Sequence, residues 1–200
     1  CLMAISQVDR YIREGSSAFY LASIVDQDGV AIDSSDIDSI TLTLYDVSSG
    51  SVINSRNAQD VNGSNNGTYS YASDTITGAT NADPCVITST SSHGRSTGDF
   101  LHISGVLGNP TANGAFRITK VDADEFSLDN TSGSGTYTSG GTWTYSLFTM
   151  EFLAADMTIV GSSVGADQVE LHRALFTVTY DTTRTITHEV DLYVQQLTKV

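Results

Sequence analysis

Cysteine, proline and positive charge are all scarce in this chain. Two cysteines among 200 residues, Cys1 and Cys85, are too few for a disulfide framework. Both read as free thiols of a protein made in a reducing cytoplasm. Nine Lys and Arg stand against 23 Asp and Glu, a net charge of −14, and the only lysines are Lys120 and Lys199. A chain this acidic repels phosphate at long range, so neither nucleic acid nor an anionic membrane is an expected partner. No apolar run approaches the ~20 residues that a membrane helix requires. The first residues, Cys1-Leu2-Met3-Ala4-Ile5, lack the basic start and long apolar core of a signal peptide. The Asn-X-Ser/Thr triplets at Asn62, Asn66 and Asn130 therefore read as chance products of a polar chain.

What is present is short-period alternation. At 40% hydrophobic and 16% charged, the chain can bury a core. In Ile40-Thr41-Leu42-Thr43-Leu44-Tyr45 the first, third and fifth residues form one face and the others form the opposite face, as in a half-buried strand. Residues 19–25 form a strand that ends at the turn Asp26-Gln27-Asp28-Gly29. Shorter strands follow around 69–71, 86–88, 100–103, 116–121 and 126–128. The longest lie at 143–152, 171–180 and 185–194, the last two joined by Asp181-Thr182-Thr183-Arg184. Helix is limited to two places. Ser6 with Asp9 and the apolar Ile5, Val8, Tyr11 and Ile12 suits a short capped helix or an N-terminal arm or strand equally well. Ala154-Ala155-Asp156-Met157 suits a single helical turn. The expected fold class is all-β.

Composition divides the chain. Residues 75–142 hold 10 of the 17 glycines and both prolines, whereas the flanking parts carry longer strands and more aromatics. About seven flanking strands, with turns every 8–12 residues, match an immunoglobulin-like β-sandwich. Loop tips tolerate insertion, so the economical organisation is a sandwich of residues 16–74 plus 143–200, interrupted by a small β-barrel at 75–142. Residues 1–15 form an arm or short helix. Two domains in series is the rival, but three C-terminal strands alone would leave an unpaired edge and an uncovered face.

The middle segment carries a recognisable string. His93-Gly94-Arg95-Ser96-Thr97-Gly98-Asp99-Phe100 is followed by Ile103-Ser104-Gly105-Val106 and Asn113-Gly114-Ala115-Phe116. Asp122-Ala123-Asp124-Glu125-Phe126-Ser127-Leu128 and Tyr137-Thr138-Ser139-Gly140-Gly141 complete it. This resembles the small β-barrel known as the first catalytic cysteine half-domain of ubiquitin-activating enzymes, a module that recurs in virion proteins of tailed bacteriophages. In the enzyme this half-domain does not hold the catalytic cysteine, and nothing here corresponds to the rest of it. The resemblance implies a barrel without ubiquitin chemistry. The flanks (Tyr11-Ile12-Arg13-Glu14-Gly15, Thr43-Leu44-Tyr45-Asp46, residues 52–61 and 170–176, and the ending from His188) resemble immunoglobulin-like virion domains, including those of baseplate upper proteins.

The residues themselves offer little chemistry. His93 and His102 lack a Cys or His partner at metal-ligand spacing. His93, in a His-Gly turn, suits a structural hydrogen bond, and His102 suits the polar face of a strand. His172 and His188 lie near Glu170 and Glu189, and a tight hairpin could bring them together as a satisfied sheet pair. Asp26, Asp28 and Asp33, with Asp36 and Asp38, make an acidic loop that is a weak Ca²⁺ candidate; solvated turns with Asp capping its own backbone are the simpler reading. Asp122, Asp124 and Glu125 read the same way. Cys85 suits a buried small residue. With no Gly-x-Ser-x-Gly, Walker loop or HExxH, the chain is not expected to be an enzyme or to hold a cofactor.

The resemblance therefore implies a structural component of a tailed-phage virion, assembled in the host bacterial cytoplasm. Its expected partners are other virion proteins (capsid, portal or neck ring, tail) and further copies of itself, docked at the head or neck. The docking segments are expected at 5–14 and 192–200, through Ile5, Val8, Tyr11, Ile12, Leu192, Val194 and Leu197. The alternative is a tail or baseplate adhesion module that binds a host-surface glycan or a fibre, with Tyr137, Trp143 and Tyr145 as its aromatic contacts.

Overall fold

The computed structural model describes residues 2–4, 11–161 and 169–196. Among them the fold is all-β. The strands are β1 (Leu2–Ala4), β2 (Ile12–Arg13), β3 (Ala18–Ile24), β4 (Ile37–Asp46), β5 (Gln59–Asp60), β6 (Gly67–Ala79) and β7 (Val86–Ser89), then β8 (Phe100–Ser104), β9 (Gly114–Lys120), β10 (Glu125–Leu128), β11 (Thr142–Phe152), β12 (Val169–Tyr180) and β13 (Arg184–Gln195). Two short 3-10 turns, at Pro110–Ala112 and Ala154–Met157, are the helical elements among these residues; the second is the single turn expected there. The helix or arm considered around Ser6 and Asp9 falls outside the described residues.

The chain forms two compact units. One comprises Cys1–Ile24, Asp33–Tyr69 and Leu147–Val200, and the other Val25–Ile32 and Ser70–Ser146. β6 and β11 contribute residues to both. β6 runs to Ala79, so the start of the stretch expected to be a loop from Thr75 is strand. Its alternation is masked in the sequence by Ser and Thr residues that face water. Residues 25–32, read from composition as part of the sandwich, group with the second unit.

The first unit is a two-sheet sandwich. One sheet has the order β1-β3-β11-β6, the other β2-β13-β12-β4-β5. The N-terminal strand is thus split between sheets, and β2 lies parallel to β13 with Ile12 opposite Val194. This is the strand order of an immunoglobulin-like sandwich. Period-2 alternation builds the core: Ile40, Leu42 and Leu44 of β4 are fully buried, as are Ala22 and Ile24 of β3. The two sheets meet in an aromatic cluster. Tyr20 of β3 stacks on Phe176 of β12 at 4.9 Å, and Phe148 and Phe152 of β11 close on the same ring at 5.5 and 6.2 Å. Such pairs add about 0.5–1.5 kcal/mol each beyond the area they bury.

The second unit is a closed six-stranded barrel, β6-β7-β10-β9-β8-β11, completed by pairing of β11 with β6 and with β8. Closure leaves no open sheet edge. Trp143 packs edge-on against Phe126 at 6.3 Å, among the buried Ile87, Leu101, Ile103 and Ile118. The Gly-rich stretch before β11 lies directly on the 105–109 turn, where Leu107 and Ser139 form a bridge. Gly135 is required there, because a Cβ would overlap the Gly108 carbonyl oxygen.

Candidate functional site

The expected docking residues separate by where their side chains point. Ile5, Val8 and Leu197 lie outside the described residues. Leu192 and Val194 face inwards on β13 and are buried in the sandwich. Alternation turns Asp191, Tyr193 and Gln195 outwards instead. Tyr11 is exposed, and its ring meets that of Tyr193 edge to face at 6.4 Å. Ile12 is half-buried beside Val194. Sequence alternation alone marks the two faces of β13 but not which one is covered.

The histidines of the C-terminal hairpin do not meet. The loop is tight, but the register sets His172 opposite Leu192 and His188 opposite Phe176. The expected cross-strand pairing is therefore corrected to a pairing along one strand. His172 Nε2 lies 2.6 Å from Glu170 Oε1, both side chains on the inner face of β12 and both buried. Glu170 also accepts the amides of Val160 and Gly161 at 3.0 and 2.7 Å, so the pair anchors the chain that leads towards β12. His188 instead stacks on Tyr20 at 6.0 Å, and burial pushes its pKa down against the pull of Glu189.

Asp26 and Asp33 of the acidic loop are used locally, whereas Asp38 reaches further and accepts the Thr182 amide at 2.8 Å. Asp26 Oδ1 accepts the amides of Asp28 and Val30, both at 2.9 Å, and Asp33 Oδ1 accepts the amide of Ser35 at 2.8 Å. These are Asx turns that shape the loop. Asp28 and Asp33 fall in different units, and among the described residues no group of three or more His, Cys, Asp or Glu is placed to hold a metal ion.

In the barrel, His93 is buried and takes the hydrogen-bonding role its His-Gly turn suggests. Nδ1 accepts the Arg95 amide at 2.9 Å, which puts the ring proton on Nε2, aimed at the carbonyls of Asp122 and Glu125 at 3.1 and 3.3 Å. It thereby holds the 122–125 turn, which Asp122 caps through the amides of Asp124 and Glu125. Cys85 is buried, and its burial pushes the thiol pKa up, away from reactivity. The aromatics offered for glycan contact are committed elsewhere. Trp143 is buried and donates its indole N–H to Ser89 Oγ at 2.8 Å. Tyr145 lies under the Arg95 guanidinium at 4.2 Å, and the Tyr137 hydroxyl donates to the carbonyls of Ile76 and Gly140.

Two buried polar centres escape sequence reasoning. Asn109 donates to the Thr80 carbonyl at 2.9 Å and accepts the Ser134 amide at 3.0 Å, tying together three loops of the barrel. In the sandwich, Arg56 forms a bidentate ion pair with Asp156. Burial would raise the Asp156 carboxyl, but hydrogen bonds from Arg56, Asn54 and the Leu153 amide hold its pKa below the usual range. The only sequence signal for this pair is an arginine in a chain poor in them, a hundred residues from its partner.

No protein-family model matches the chain, and no curated protein matches it. The fold and the chemistry of its surfaces are what bear on function.

Proposed function

We propose that this protein is a non-enzymatic structural component of a tailed-phage virion, docked in several copies at the head or neck through faces of its sandwich. One observation carries the reading. A closed barrel is inserted between β6 and β11 of an immunoglobulin-like sandwich, and both parts bear the residue strings that resemble virion modules. A protein of this kind works by the surfaces it presents to a symmetric ring or shell. The acidity of the chain, −14 overall, suits a component that meets DNA without adhering to it. Head or neck is preferred to an adhesion role, because Trp143, Tyr145 and Tyr137 are committed to the barrel's own packing and hydrogen bonds. Mass spectrometry of purified particles of the phage that encodes the chain tests this. Peptides at a stoichiometry of several copies per particle support the role, and their absence from the particle contradicts it.

A further inference from the structure

The outer face of the five-stranded sheet carries an apolar row where water-facing strands ordinarily carry polar side chains. Tyr193 of β13 is 47% exposed and Tyr11 is 64% exposed. Across the ladder Tyr193 pairs with Leu171 of β12, whose carbonyl accepts the Val47 amide at 2.9 Å. Val47 is itself exposed, so the row Tyr11–Tyr193–Leu171–Val47 runs from beside β2 across β13 and β12 to the residue that follows β4.

Charge identifies what can cover it. The chain as a whole carries −14, which opposes contact between copies over most of its surface. Around this row the signs balance, with Arg13 and Arg173 against Glu189 and Asp191. Arg173 is held on the face by Asp191 at 2.7 Å and Glu189 at 3.2 Å. Arg13 is exposed and has no ion-pair partner among the described residues.

We infer that the occupant is a second copy of this chain, joined face to face by a two-fold axis running along the apolar row. That operation lays the row on itself and exchanges the two sides of it. Arg13, beside Gln195, lies one outward position above the row, and Asp191 lies one outward position below it on the neighbouring strand. Each offset is about 7 Å along the strand and the strands are about 5 Å apart, within reach of an arginine side chain. Arg13 of each copy thus shares the Asp191 carboxylate of the other, which that copy's own Arg173 already holds through two hydrogen bonds, twice over, as an isologous interface requires. The face spans only about 15 Å by about 20 Å, below the size of stable interfaces. Association is therefore weak in dilute solution and is reinforced where many copies share one ring.

The inference rests on, and deepens, the proposed structural role by naming one of its faces, and the two can fail separately. A monomeric chain found in particles leaves the role standing without this face. A dimer of a chain absent from particles leaves the face standing without the role. The test is sedimentation equilibrium of the full chain from about 10 µM to about 1 mM. A reversible monomer–dimer equilibrium is expected, weakened about tenfold or more by Tyr193→Ser and by Arg13→Glu, both exposed positions, with unchanged circular dichroism. A chain that stays monomeric over the whole range, or a dimer that neither substitution weakens, overturns it.

Discussion

Arg56 and Asp156, 100 residues apart in the chain, meet through two parallel hydrogen bonds of 2.9 Å each. Both groups are buried, and the remaining donors of Arg56 reach Gln59 Oε1 at 2.6 Å and the Asn65 carbonyl at 3.0 Å. One partner precedes the inserted barrel in sequence and the other follows it. The pair therefore ties the two halves of the sandwich together independently of the chain that separates them. Replacing Asp156 by Asn leaves a buried guanidinium without its counter-charge, at a cost of about 3–5 kcal/mol. Urea denaturation of Asp156→Asn is expected to show that loss, and the double variant Arg56→Met, Asp156→Leu is expected to recover part of it. A loss below about 1 kcal/mol in the single variant contradicts the role given to the pair.

Tyr20 gives a prediction of opposite sign. Its ring is central to the aromatic cluster, but its buried hydroxyl has no hydrogen-bond partner among the described residues, and burial pushes its pKa upwards. Tyr20→Phe keeps the stacking on Phe176 and removes the unpaired group. The variant is expected to be more stable by about 1 kcal/mol in the same denaturation experiment, and a clear destabilisation would mean that the hydroxyl is satisfied in solution.

Three of the groups whose pKa folding shifts give a prediction for acid. Burial would raise Asp46, but hydrogen bonds from the hydroxyls and amides of Ser48 and Ser49 bring its pKa down to about 2. Asp156 is also lowered. A carboxyl lowered by folding contributes stability above its unfolded value, and that contribution is lost as pH falls towards the folded value. For Asp46 the window runs from 3.8 down to about 2. His188 is pushed below 6.5 by burial, so the unfolded chain binds its proton first and stability also declines as pH drops under that value. Thermal melts are expected to fall in two stages as pH is lowered, and His188→Gln is expected to remove the earlier one. Melts that are flat between pH ~7 and ~5 for both proteins would refute the His188 contribution.

Much of the fold is legible in the sequence, and the reasons are local. Ile40, Leu42 and Leu44 alternate cleanly because one face of β4 is buried and the other wet, and the turn at 26–29 is written in Asp and Gly. The barrel's boundaries are less legible. β6 runs on through Asp74 and Gly78, residues whose propensities disfavour a strand, because pairing with β7 and β11 supplies what local preference does not. Long-range polar pairs are least legible. Nothing near Arg56 points to Asp156, and nothing near Trp143 points to Ser89, because such contacts depend on register between distant strands. The candidate surface is legible in part, since Tyr11 stands out as apolar and N-terminal. Its partner Tyr193 is not, because the inward Leu192 and Val194 are the more apolar residues of that strand.

Trp143 is the single tryptophan of the chain and reports on the barrel alone. Its indole N–H donates to Ser89 Oγ, which in turn donates to the Asp74 carboxylate at 2.9 Å. Ser89→Ala leaves a buried donor unpaired and is expected to cost about 1–3 kcal/mol. Tryptophan emission followed through denaturation measures it directly. A native emission maximum typical of water-exposed indole would contradict the burial of Trp143.

The structural role itself is tested most directly by electron microscopy of intact particles carrying a tag or antibody label on the 76–141 barrel. Label in a ring at the neck, or distributed over the head, is the predicted result. Label confined to the distal tip of the tail contradicts the head or neck placement and favours adhesion. Particles that carry no label at all, with the protein present only in the infected cell, contradict a virion component altogether.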